Sequence, residues 1–144
     1  MNKFVENLKE LIDETGLSLR QLQTKSGVNA IQYSRYLRGY TPTLDVTLKI
    51  AKYFNCSLDF LFGLSDEKNN QHYEGYSYDI NKFLDRYLLL LKQNKITNYK
   101  FARSSIFNES TIRHWKNGKV PRLDVVYNIA RDLDSSMDYL IGRK

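Results

Sequence analysis

Lys100, Arg103, Arg113, Lys116, Lys119 and Arg122 crowd into one stretch of a 144-residue chain whose formal net charge is +6. Ammonium and guanidinium groups at that density suit phosphate oxygens. Such contacts release counterions, fix a protein on a duplex and make its affinity fall with salt. The competing reading is a solvated basic face with no ligand. Catalytic chemistry has less to work with: His72 and His114 are the only histidines and have no partners at ligand or acid–base spacing, and no glycine-rich phosphate loop is present. The chain reads as non-enzymatic, with no metal site and no cofactor. Cys56 is the single cysteine, so it cannot form an internal disulfide, and it reads as a small buried residue rather than a redox sensor.

The charge is uneven along the chain. Residues 1–64 hold 8 basic and 6 acidic side chains, a net +2, residues 65–78 carry −2, and residues 79–144 hold 13 and 7, a net +6. The electrostatic footprint lies in the C-terminal half, with Arg143 and Lys144 read as a solvated tail.

The elements that must position these residues are helical. Hydrophobic content of 42% offers enough apolar area for a packed fold. Phe4, Leu8, Leu11 and Ile12 follow helical spacing at the start, without the apolar core of a signal peptide. The longest aliphatic run, Leu88 to Leu91, is far short of the roughly 20 residues that span a bilayer. A cytoplasmic protein with no membrane segment is expected.

The chain repeats itself. Gly39-Tyr-Thr-Pro-Thr-Leu-Asp-Val46 matches Gly118-Lys-Val-Pro-Arg-Leu-Asp-Val125 at a shift of 79 residues, and Ser57-Leu-Asp-Phe-Leu-Phe-Gly63 matches Ser136-Met-Asp-Tyr-Leu-Ile-Gly142 at the same shift. Without a gap, the shift also pairs Phe4 with Phe83, Leu11 with Leu90, Ser18 with Thr97, Ser26 with Ser105 and Asn29 with Asn108. A period of that length exceeds a solenoid repeat and indicates two copies of a small domain: residues 1–64, a polar linker over 65–78, and residues 79–144. The linker tyrosines Tyr73, Tyr76 and Tyr78 either belong to a free linker or lie against a domain surface.

Each copy reads as five helices, so the fold class is all-α, with no segment reading as a strand. In the first, Thr15-Gly16 ends the opening helix, Ser18 caps a second helix running to Ser26, Gly27 makes a left-handed turn, and Asn29 caps a third to about Arg38. Thr43 to Phe54 and Ser57 to Phe62 complete the unit. In the second, Thr97, Asn108 and Ser135 or Ser136 take the cap positions. Helical periodicity gives Val28, Tyr33 and Tyr36 to one core, and Phe107, Ile112 and Trp115 to the other, in preference to base stacking. It exposes Ala30, Ile31, Gln32, Ser34, Arg35 and Arg38 in the first copy, and Glu109, Ser110, Thr111, Arg113, His114 and Lys116 in the second.

Leu17-Ser-Leu-Arg-Gln-Leu-Gln-Thr-Lys-Ser-Gly-Val28, followed by Gly39, Pro42, Ile50-Ala51 and Ser57-Leu-Asp-Phe-Leu-Phe-Gly63, resembles the lambda-repressor-like helix-turn-helix family, often called the XRE family. The likeness covers nearly all of both copies. It implies two tandem five-helix DNA-binding domains in a bacterial or phage regulator of transcription, with residues 29–38 and 108–117 as recognition helices for the major groove. On that resemblance the base-facing positions are Ala30, Ile31 and Arg35, and in the second copy Glu109, Ser110 and His114. Arg35 can bond both acceptors of a guanine edge, whereas Ala30 and Ile31 offer apolar contact to a thymine methyl. Asn29, Gln32, Arg38, Asn98, Lys100, Asn108, Thr111, Arg113, Lys116 and Lys119 complete the expected DNA-binding set.

The sequence departs from the family in places. Mid-helix two, normally small where the helices cross, is Ala102 in the second copy but Gln23 in the first, which should open that crossing. Ile106 stands where Gly27 does, and a β-branched residue resists positive φ, so the second turn must differ or be strained. Near the start of helix two, where the family favours Gln for a backbone contact, the chain has Leu19 and Asn98, of which only Asn98 can stand in.

The implied function is a sequence-specific regulator of double-stranded DNA, read as a repressor. The alternative is a protein-interaction regulator, anti-repressor or antitoxin-like, in which one or both domains bind a protein. No third domain is available for a small-molecule effector. Phe62, Leu64 and Ile141 have no evident core role and suggest a homodimer through the last helix of a domain. The rival is a single-chain pseudo-dimer, whose 14-residue linker reaches at most about 45 to 50 Å.

Overall fold

The computed structural model describes residues 3–69 and 77–143 and, among these, contains ten helices and no strand. The chain divides into two compact units, residues 1–76 and 77–144.

In the first unit, α1 (Lys3–Thr15) turns Phe4, Leu8, Leu11 and Ile12 inward and ends at Gly16 with φ +66°. Helices α2 (Leu19–Ser26) and α3 (Ala30–Leu37) follow, then α4 (Leu44–Phe54) and α5 (Leu58–Leu61). Thr43 and Ser57 cap the last two through side-chain oxygens, each cap worth about 1 kcal/mol. Cys56 is fully buried. Phe4 stacks on Phe62 at 4.8 Å between centroids and meets Tyr36 edge-on at 6.3 Å. Asn7 Nδ2 donates to the Phe60 carbonyl at 2.9 Å, tying α1 to α5.

The second unit comprises α6 (Asn81–Gln93), α7 (Asn98–Arg103), α8 (Thr111–Lys116), α9 (Leu123–Asp132) and α10 (Met137–Leu140). Aromatic rings fill its core. Trp115 meets Phe83 at 5.0 Å, Tyr87 at 5.6 Å and Phe107 at 5.1 Å. Offset and edge-to-face pairs of this kind add roughly 0.5–1.5 kcal/mol each beyond burial. The Arg86 guanidinium donates to the Tyr139 carbonyl, joining α6 to α10.

Special backbone positions recur at the 79-residue shift. Positive φ occurs at Gly16 and Lys95, Gly39 and Gly118, Asn55 and Asp134, and Gly63 and Gly142. Among the described residues only Gly27, at φ +77°, has no counterpart, because Ile106 occupies that place. Asn7 to Phe60 and Arg86 to Tyr139 are the same tie at the same shift, made by different donors.

Several sequence expectations need correction. Phe62 and Ile141 are core residues, 1% and 0% exposed, because the turns after α5 and α10 fold them under the first helix of their units. Only Leu64 of that trio is partly exposed. The basis for a last-helix dimer is therefore reduced to one side chain. Arg143 is not a tail residue: its guanidinium pairs with Asp138 at 3.1 Å, and neither side chain is exposed. Lys144 lies outside the described residues. Ser65 to Asn69, read as linker, are held on the first unit, where Ser57 N donates to the Lys68 carbonyl at 2.9 Å and Asn69 Nδ2 to Asn55 Oδ1 at 3.3 Å. Tyr78 is half-buried, while Tyr73 and Tyr76 lie outside the described residues.

Candidate nucleic-acid interface

The first unit's α2 and α3 are joined by a tight, fully satisfied turn. Ser18 and Gln21 form a reciprocal capping box at the start of α2, Ser18 N donating to Gln21 Oε1 at 2.9 Å and Gln21 N to Ser18 Oγ at 3.2 Å. Gly27 turns the chain. Asn29 Oδ1 then accepts from Ile31 N at 2.7 Å, and Asn29 N donates to Gln32 Oε1 at 3.2 Å. Across the turn the Tyr33 hydroxyl donates to Ser26 Oγ at 2.6 Å. Burial raises the Tyr33 pKa, with the Ser26 hydrogen bond opposing that shift, so the phenol holds its proton and remains a donor.

Gln23 is exposed. Its side chain points outward and its Oε1 accepts from Ala30 N at 2.9 Å, so it satisfies an orphan amide at the front of α3. A polar residue in mid-helix is the available signal for this role, and periodicity alone does not recover it.

Helix α3 is two-faced. Val28, Tyr33 and Tyr36 are buried, as expected, while Ile31 is 63% exposed and Arg35 and Arg38 are exposed with it. Positions 31, 35 and 38 share one face at helical spacing. Ala30, Gln32 and Ser34 are half-buried beside them. Asn29 and part of Gln32 are used as caps and so shape the element. Tyr40, 62% exposed, lies under the Arg38 guanidinium at 5.9 Å, a contact the sequence reading overlooked. Residues 8–61 match a Helix-turn-helix family model. The match supports a DNA-binding regulator of the XRE type, and such a domain is regulatory rather than catalytic. No match was found among curated proteins or among solved structures.

The corresponding element of the second unit is built differently. Helix α7 ends at Arg103, and α8 begins only at Thr111. Against α2 and α3, moved by 79 positions, each loses two residues beside the turn. Ile106 cannot take the left-handed conformation of Gly27, and Ile112 replaces Tyr33, so the hydroxyl clasp is missing as well. Asn108 is not a helix cap: its carbonyl accepts from Thr111 N at 3.0 Å in a turn, and Ser110, the residue before α8, makes no side-chain cap. The expected helix over 108–117 is six residues long. Glu109 and Ser110 stand exposed in the turn before it, with Arg113, His114 and Lys116 exposed on it. Trp115 and Phe107 are buried, and Ile112 is half-buried.

Asn98 is drawn inward. Its Oδ1 accepts from the Tyr87 hydroxyl at 2.8 Å, and its Nδ2 donates to the Glu109 carbonyl at 3.3 Å, so the amide links α6, α7 and the turn. Ala102 is buried, as a close helix crossing requires. Lys100, Arg103, Lys119 and Arg122 are exposed around the motif, but Arg122 pairs with Asp124, whose hydrogen bond and charge raise its pKa. Arg103 lies over the exposed Tyr99 ring at 5.3 Å. No helix among the described residues is long and apolar enough to cross a membrane.

Proposed function

We propose that the chain is a sequence-specific regulator of double-stranded DNA, acting as a repressor, that presents α3 to the major groove. One observation carries this: a capped eight-residue helix, fixed through Tyr33 and Tyr36, that turns Ile31, Arg35 and Arg38 to solvent on one face. Arg35 is the principal base reader, Ala30 and Ile31 supply apolar contact, and Arg38 with Tyr40 lies toward the phosphates. The first and second units are copies of one domain, over 1–64 and 79–144, a reading supported by the shared positions of positive φ and the paired ties between first and last helices. Cytoplasmic action on DNA follows from this role.

The test is selection from a random duplex library with the intact chain, followed by binding measurements on the winning sequence. Enrichment of a defined site, lost on Arg35→Ala, is the expected result. Absence of any enriched site would sink the proposal in favour of a protein partner, a reading to which Ile106 and Val120, 53% and 44% exposed beside the second motif, lend weight.

A further inference from the structure

We infer that the second unit grips DNA without reading it, holding phosphates while the first unit selects the sequence. This rests on the DNA-binding role proposed above. The two helix-turn-helix stretches carry nearly the same charge, +4 over residues 18–43 and +5 over residues 97–122. Attraction to a polyanion is therefore kept in both. Lys100, Arg113, Lys116 and Lys119 are all exposed, and none is held in an ion pair among the described residues. Lys116 and Lys119 line one surface groove of about 170 Å³ beside Trp115, and Lys119 also borders a second of about 220 Å³.

What the second unit lacks is the front of a reading helix. Base edges are reached from the N-terminal residues of a recognition helix and the turn that follows. In the first unit those residues are helical and capped. In the second they are Glu109 and Ser110, in a turn that follows Ile106 rather than a positive-φ glycine. The Glu109 carbonyl is tied to Asn98 Nδ2 at 3.3 Å, which keeps this turn against the unit. The only acidic side chain of the stretch thus stands where a reader would insert, and it repels phosphate. The point charges on the Lys100, Lys116 and Lys119 stems attract a backbone of any sequence.

The experiment uses the full chain and the duplex selected by the wild type. The triple variant Glu109→Ala, Ser110→Ala, His114→Ala is expected to select the same sequence and to bind it within about twofold. The variant Lys100→Gln, Lys116→Gln, Lys119→Gln is expected to weaken selected and random duplexes alike. It should also flatten the slope of log K against log salt by about 0.9 for each phosphate no longer neutralised. Fluorescence of Trp115, the single tryptophan, verifies that the second unit of each variant is folded. A changed sequence preference in the first variant overturns the inference, because the second unit then reads bases. Unchanged affinity and slope in the lysine variant also overturn it and leave that face to an acidic protein partner. Arg35→Ala, run alongside, separates the two proposals: if it leaves the preferred sequence intact, the reading role of the first unit fails even where the grip survives.

Discussion

Arg143 and Asp138 form an ion pair, Nη1 to Oδ1 at 3.1 Å, in which neither side chain is exposed to solvent. The backbone repeats the link, since Arg143 N donates to the Asp138 carbonyl at 3.0 Å. In the first unit Leu64 N donates to the Asp59 carbonyl at 2.8 Å, so the backbone turn is common to both units while the charged pair belongs to the second. Removing one partner leaves a buried charge uncompensated, which costs about 3–5 kcal/mol. Arg143→Ala should therefore lower the stability of the second unit by that order, read from Trp115 fluorescence in urea. The pair replacement Asp138→Leu with Arg143→Met should recover most of the loss. An Arg143→Ala chain as stable as the wild type would show that the pair contributes nothing.

The helical class and the two-faced third helix of the first unit were legible because caps, glycines and apolar spacing all act locally. Ser18, Asn29, Ser57 and Thr97 cap where their positions before apolar runs place them. What could not be read depends on where the chain goes after a turn. Phe62 and Ile141 have the same apolar character whether they face solvent or a core, and only the fold of their turns puts them inside. Arg143 needed the burial of Asp138 to become a partner rather than a tail. For the candidate site, Ile106 signalled an altered turn, but not that two residues would be lost from each flanking helix, because that depends also on the absent Tyr33 clasp.

Gly27 and Gly63 separate two costs of a side chain. At Gly27, φ +77°, an added Cβ meets nothing within 4 Å, so Gly27→Ala pays for backbone conformation alone, about 1–2 kcal/mol. At Gly63, φ +80°, the same Cβ falls 2.5 Å from Lys3 Cβ, so α1 must also shift. Urea denaturation followed by circular dichroism should rank Gly63→Ala as the more destabilised. The opposite order would contradict this account of the α5 turn.

Gln23 offers a test of how α3 is held. Its Oε1 accepts from Ala30 N at 2.9 Å, the amide at the front of α3. Gln23→Ala leaves that amide to water, at a net loss of about 0.5–1.5 kcal/mol. The expected outcome is a modestly less stable first unit and faster hydrogen exchange at Ala30. Unchanged exchange there would mean the contact does not persist in solution.

Tyr33 and Tyr87 are expected to set an alkaline limit on the fold. Both are buried, and burial raises each phenol above its ordinary value of 10.0, most strongly at Tyr87. The sign follows from which form the fold prefers. A pKa raised in the folded state means the neutral phenol is favoured there, so the stabilisation is complete below about pH 10 and drains away as pH rises toward the folded value. Ionising Tyr87 would also turn the donor to Asn98 Oδ1, at 2.8 Å, into an acceptor facing an acceptor. Tyr87→Phe should therefore lose the hydrogen bond at neutral pH, at a cost of about 0.5–1.5 kcal/mol, yet show a shallower fall in stability between pH 9 and pH 11 than the wild type. Urea melts of both chains across that range, followed at Trp115, provide the comparison, and Tyr33→Phe followed by circular dichroism provides it for the first unit. Parallel pH curves for Tyr87→Phe and the wild type would show that this phenol does not set the alkaline limit.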